Sequence, residues 1–143
     1  MLPEEIFKLA ETGAVAGLCP VTEANLGDGI FNGSEYVSIG GEYGIGSDSN
    51  DRISLTEELR MLEYSQRIVR KERNIMTDSS GSLGESLYKC AVRGGAQALS
   101  RNSGKIALGK WADLLTLDFT TSLFTDPPRM IFLIDGYFLQ RIR

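Results

Sequence analysis

Residues 13–20 read Gly13-Ala-Val-Ala-Gly-Leu-Cys-Pro20, and residues 43–50 read Tyr43-Gly-Ile-Gly-Ser-Asp-Ser-Asn50. The first is a continuous run of small apolar residues from Ala14 to Cys19, bounded by Gly13 and Pro20. A run of that length without polar alternation reads as a strand buried on both faces, which is the habit of parallel sheets. The second gives another short buried strand, Tyr43 to Gly46, ending in the polar cluster Ser47 to Asn50. Parallel strands need long connections, normally helical. The rest of the chain should therefore supply helices around these two runs, in an α/β arrangement.

Helix signals lie on both sides. Glu4 to Glu11 sets Ile6, Leu9 and Ala10 on one side of a short helix that begins after Pro3. Ser54-Leu-Thr-Glu57 is a capping box, and Leu59, Leu62, Ser65 and Val69 follow at helical spacing as far as Arg73. Ser82-Leu-Gly-Glu85 is a second capping box, opening a helix with Leu83, Leu87, Ala91 and Ala98 facing inward. Gly94-Gly95 either weakens that helix or permits close packing. Pro20 to Ser34 and Thr77 to Gly81 are rich in turn formers and read as loops. After Asn102 the pattern becomes extended: Lys105–Leu108, Asp113–Leu117, Arg129–Ile134 and Tyr137–Ile142, the last two flanking the hairpin signal Asp135-Gly136. Residues 1–102 thus form one α/β unit and 103–143 a small antiparallel β unit.

Composition narrows the chemistry. The chain has 143 residues, 15 Lys+Arg against 19 Asp+Glu, a formal charge of −4, and no histidine. Without imidazole it cannot form a Ser/His/Asp or Cys/His triad, an HxH or HExxH metal site, or use a His general base. The acidic balance argues against nucleic acid as a partner. Cys19 and Cys90 stand far apart and form neither a CxxC motif nor a disulfide framework; they read as reduced thiols of a cytoplasmic protein. The acidic N-terminus is unlike a signal peptide, and no apolar run is long enough to cross a bilayer.

Two motif matches fail on their physics. Gly104 to Lys110 fits most of a phosphate loop, but Trp111 replaces the Ser/Thr that would ligate Mg²⁺, and no strand precedes and no helix follows. Asp48 to Asp51 resembles the start of a calcium loop, yet Ile53 stands where Gly is required and Leu59 where a bidentate Glu is required. What remains is Asp48 at the carboxyl end of a buried strand, the edge where parallel α/β folds hold ligands and metals; the other reading is that it hydrogen-bonds its own loop. The loop after the first strand offers Thr22, Glu23, Asn25 and Asp28 at the equivalent edge, and the same residue types are also turn formers. Cys19 reads as a packed thiol, since nothing is present to activate it. Arg67, Arg70, Lys71 and Arg73 read as a solvated helix end that complements the dipole.

Several stretches together resemble a known family. Gly13 to Gly29 with its core Thr22-Glu-Ala-Asn-Leu-Gly-Asp-Gly29, then Gly44-Ile-Gly-Ser-Asp-Ser49, then Glu57 to Tyr64, resemble the last third of the formimidoylglutamate deiminases. These are zinc-dependent members of the amidohydrolase superfamily in histidine degradation. Gly104 to Asp118 is similar to the β-sandwich segment that closes many amidohydrolases. The resemblance implies the C-terminal fragment of a (β/α)₈ barrel plus part of a small β-sandwich, with strands seven and eight present and the earlier, histidine-bearing strands upstream of Met1. It implies that Asp48 is the aspartate that ligates the metal and exchanges a proton with the attacking water; Thr22, Glu23 and Asn25 are substrate-binding candidates by their place in the loop after the first strand, not by the resemblance. Members commonly carry His after Gly-Ser-Asp-Ser; here the residue is Asn50.

Two parallel strands cannot close a barrel. The resemblance therefore implies a polypeptide that is inactive alone and binds no zinc alone, and that either meets a complementing N-terminal barrel polypeptide or forms a homo-oligomer burying Ala14 to Leu18 and the helix faces near Leu59 and Leu87. A non-catalytic interaction module, or a decayed gene product of the same lineage, fits the same residues.

Overall fold

The structure, a computed structural model, describes residues 1–78 and 82–114. Helix α1 (Pro3–Glu11) leads into strand β1 (Val15–Leu18), followed by α2 (Pro20–Leu26), α3 (Gly33–Ser38), strand β2 (Glu42–Ile45), α4 (Leu55–Arg70) and α5 (Leu83–Ala98). The two strands pair in parallel, Val15 opposite Glu42 through Leu18 opposite Ile45. Gly46 N donates to Leu18 O at 3.0 Å, so the loops leaving both strands start side by side.

The helix starts follow local chemistry. Pro3 and Pro20 each stand in a first turn, where a missing N–H costs nothing. Ser54 and Ser82 accept from Glu57 N and Glu85 N, as both capping boxes require. Helix α4 stops at Arg70 instead of running on to Arg73, because Lys71 turns left-handed at φ 59°.

The core consists of Ile6, Ala16, Leu18, Tyr36, Tyr43, Leu59, Leu62, Met76, Leu83, Leu87 and Ala91. Four expectations about burial change. In β1, Ala16 and Leu18 are buried but Gly17 is exposed, with open space where a Cβ would stand, so the strand alternates instead of being buried on both faces. On α4 the buried stripe is Glu58, Leu59, Leu62, Glu63 and Gln66, while Val69 is exposed. Three of those five are polar, which a search for apolar periodicity does not see. On α5, Ala98 is exposed and Gly94 is buried in its place. Leu59 and Leu87, expected on uncovered faces, are fully buried within the chain; Leu55, Met61, Tyr64, Ile68 and Val69 are the exposed apolar residues of α4.

The expected loop Pro20 to Ser34 contains all of α2 and the start of α3. Pro20 opens α2, the Glu23 carboxylate accepts from Cys19 N at 2.7 Å, and Gly27 closes it at φ 75°. Helix α3 is held by Tyr36, whose ring is fully buried against Gly41 and whose hydroxyl donates to Ala14 O at 2.9 Å. Lys105–Leu108 forms bends and a turn, not a strand; Ile106 and Leu108 are exposed, with no strand beside them among the described residues. Asn102 and Trp111 close this segment through Asn102 Nδ2 to Gly109 O at 2.8 Å and Trp111 N to Asn102 O at 2.9 Å, a turn and not a phosphate cradle. The hairpin at Asp135-Gly136 and its strands lie outside the described residues, as does most of Asp113–Leu117.

Candidate active-site edge at the ends of the two strands

The carboxyl ends of β1 and β2 bring the first-strand loop and the Asp48 turn together. Asp48 is exposed and adopts a left-handed backbone, φ 48°. Asparagine and aspartate tolerate that region better than other side chains, but it still carries a cost. Asn50 N donates to Ser47 O at 3.3 Å, closing a tight turn with Asp48 and Ser49 at its tip.

Behind this turn lies a polar network. Thr22 is buried, and its hydroxyl donates to Ser47 O at 2.9 Å. Asn50 Nδ2 lies 3.2 Å from Thr22 Oγ1 and 2.9 Å from Glu58 Oε1, and also meets Ser47 O. Glu58, only 1% exposed, accepts in addition from Val21 N at 2.8 Å. The Asn50 amide, standing where members of the resembled family commonly carry histidine, thus acts here as a donor to α2 and α4. No local sequence signal marks this pairing, because its partners are 8 to 37 residues apart.

The other loop residues divide. Glu23 is half-buried and committed to the Cys19 amide, while its side chain also borders a hollow of about 350 Å³ along the exposed side of β1 that includes Gly17 and Asp28. Asn25 and Asp28 are exposed. A second, mostly apolar groove of about 320 Å³ runs between α2 and α4 past Ala24, Met61 and Ile68, and does not include Asp48.

Cys19 ends β1 against Gly46, where a Cβ would lie 3.4 Å from its sulfur. Burial, then the negative charges of Asp48, Glu23 and Glu58, push its thiol pKa up. A raised pKa disfavours the thiolate, the form in which a cysteine acts as a nucleophile. Among the basic residues of α4, Arg67 is not merely solvated: it pairs with the buried Glu63 at 2.7 Å and lies over the Tyr64 ring.

A zinc ion does not fit the residues of this chain taken alone. Zinc at a catalytic site takes about three protein ligands besides water. The chain has no histidine, and among the described residues no three His, Cys, Asp or Glu side chains converge. Among those residues, too, no helix is long and apolar enough to cross a membrane.

Comparison with known proteins agrees with this geometry. Over 117 residues the chain is 51% identical to the formimidoylglutamate deiminase of Pseudomonas aeruginosa, a match covering 81% of the chain and 26% of that protein. It is 27% identical over 118 residues to the 5-methylthioadenosine/S-adenosylhomocysteine deaminase of Pyrococcus abyssi, covering 80% and 26%. The chain thus spans about a quarter of the length of the curated relatives it matches. The crystal structure of an amidohydrolase from Brucella melitensis superposes with a TM-score of 0.85 at 44% identity, over 96% of this chain and 30% of that one. The parallel strands and their helices accordingly belong to part of an α/β barrel. The sequence profile of the Amidohydrolase family matches residues 3–138, and the chain belongs to that family.

Proposed function

We propose that the chain supplies the C-terminal barrel portion of a formimidoylglutamate deiminase, which hydrolyses N-formimidoyl-L-glutamate to N-formyl-L-glutamate and ammonia. The observation that carries this reading is the 51% identity across the segment that contains the Asp48 turn, together with the position of that turn at the carboxyl end of a parallel strand. In the reaction, water oxygen bonds to the formimidoyl carbon, whose bond to the terminal imino nitrogen breaks while its bond to the glutamate nitrogen is kept. The Asp48 carboxylate takes the two protons of the water in turn, the first as the water attacks and the second as its hydroxyl becomes the formyl carbonyl, and passes both to the imino nitrogen, which leaves as ammonia. Thr22, Glu23 and Asn25 flank the site from α2, Thr22 through the Ser47 carbonyl and not by direct reach.

The metal that this chemistry employs in the resembled family would be held by histidines outside these 143 residues, with Asp48 adding one carboxylate. Among the described residues β1 and β2 pair only with each other, and a closed barrel leaves no strand edge unpaired, which supports a partner that supplies further strands. The proposed partner is therefore a complementing N-terminal barrel polypeptide. The compartment proposed is the cytoplasm, where Cys19 and Cys90 remain free thiols.

A second reading is favoured by the zero histidine count: a non-catalytic module that associates with itself. One experiment separates the two. The chain is mixed with a histidine-bearing N-terminal barrel polypeptide and zinc, and ammonia release from N-formimidoyl-L-glutamate is followed. The deiminase reading expects activity that Asp48→Asn lowers by about 10²-fold or more, the scale of a lost acid–base group. A folded, associated mixture that stays silent favours the non-catalytic module.

A further inference from the structure

The groups that hold the Asp48 turn come from three separate elements. Glu58 on α4 accepts from Val21 N of α2 at 2.8 Å and from Asn50 Nδ2 at 2.9 Å. Asn50 also meets Thr22 Oγ1 and Ser47 O, and its own N–H closes the turn onto Ser47 O. The Thr22 hydroxyl donates to the same carbonyl. We infer that Glu58 and Asn50 form a positioning pair for Asp48: the buried carboxylate fixes the Asn50 amide, the amide fixes Ser47 and the turn, and the turn aims the Asp48 carboxylate at the strand edge.

Two physical costs point this way. A carboxylate that is 1% exposed forfeits its hydration, a penalty recovered only when good hydrogen bonds replace the water. A non-glycine residue at φ 48° is strained, and such strain persists only where surrounding bonds over-determine it. A turn needed merely to leave β2 could use glycine and an apolar support. Here a buried acid on α4 is spent on a turn whose tip, Asp48 and Ser49, faces solvent. Asp48 and Ser49 are exposed, so the orientation of the tip follows from the anchor behind it.

This inference rests on the reading of Asp48 as the proton carrier, and its test has two arms. In the first, amide hydrogen exchange is measured by NMR on the full chain. Glu58→Gln places an amide donor against the Asn50 donor, and Asn50→Asp places two carboxylates together. Each should speed exchange at Val21 and Asn50 by about tenfold, the effect of losing a hydrogen bond to a charged group. The double variant restores a donor–acceptor contact between positions 58 and 50, so exchange at Val21 should recover, but it offers no side-chain donor to Ser47 O, so exchange at Asn50 should stay fast. In the second arm, the same variants in the zinc-supplied complemented enzyme should lower kcat with KM within about twofold, and the double variant, which still lacks a side-chain donor to Ser47 O, should stay low.

Exchange at Val21 and Asn50 unchanged in both single variants, or an active complemented enzyme whose kcat is unmoved, overturns the pair. A complemented parent enzyme that shows no activity defeats the deiminase reading instead, and the exchange arm still decides whether Glu58 and Asn50 hold the turn. If the charged variants fail to fold, Thr22→Val removes one hydroxyl from the same carbonyl and carries both arms.

Discussion

Gly94 on α5 lies directly over the Tyr43 carbonyl of β2: a Cβ at Gly94 would stand 1.9 Å from that oxygen. The Gly94-Gly95 pair therefore marks the place where α5 closes onto the sheet and is not a weak point in the helix. Tyr43 completes the junction, its ring 1% exposed and its hydroxyl 3.3 Å from Leu87 O, and burial drives its pKa far up. The two glycines should accordingly respond in opposite directions. Gly94→Ala should destabilise by about 2 kcal/mol or more, since overpacking against backbone outweighs the gain in helix propensity. Gly95, with open space where its Cβ would stand, should accept Ala with a gain of about 0.5–1 kcal/mol. Urea unfolding of both variants checks the pair, and equal responses would contradict the close approach.

Glu63 is fully buried on α4, where it accepts from Arg67 Nε at 2.7 Å, Ile75 N at 3.1 Å and Met76 N at 3.0 Å. It stands in for backbone partners that the segment after α4 would otherwise lack. Glu63→Ala should cost about 3 kcal/mol, because it takes the acceptor from the buried Met76 N–H and the partly buried Ile75 N–H and the carboxylate partner from Arg67. Thermal unfolding measures it; a loss below about 1 kcal/mol, the worth of an exposed pair, would contradict the burial.

The Cys19 thiol reports on Asp48. Burial raises its pKa first, and the Asp48 charge raises it further, because a nearby anion opposes formation of the thiolate. Asp48→Asn removes that charge, so the pKa should fall and iodoacetamide should react with Cys19 faster near pH 8. Alkylation rates followed across pH 7–10, with Cys19 resolved by mass spectrometry, should show a profile displaced to lower pH in the variant. An unchanged profile would mean that Asp48 does not stand near Cys19.

Zinc should bind the isolated chain weakly. One exposed aspartate without imidazole partners supplies too few ligands for a closed or a catalytic site. Calorimetric titration of the chain should show no tight one-to-one event, and a tight single site would contradict the ligand count.

What the sequence makes legible is what is local. The capping serines Ser54 and Ser82 act as their motifs require, because the donor and acceptor lie within one turn. Both strands are visible as short apolar runs, and Asp48 as the acid that follows the second. Helix α2 is misread, although Pro20 and Gly27 bracket it, because Asn25, Asp28 and three glycines from 27 to 33 give the surrounding segment the composition of a loop. Helix α3, six residues without a side-chain cap, exists through Tyr36, whose partners Ala14 and Gly41 come from elsewhere in the fold. The polar half of the α4 stripe is hidden for a related reason. Glu58, Glu63 and Gln66 are buried by bonds to Val21, Met76 and Phe31, and those distances along the chain carry no periodicity.

The most direct measurement is ammonia release from N-formimidoyl-L-glutamate by the purified polypeptide on its own, with zinc supplied. Lacking any imidazole to grip a metal ion beside Asp48, it should release none above the uncatalysed rate. Turnover by this polypeptide alone, abolished by Asp48→Asn and surviving removal of contaminating enzymes, would contradict the account.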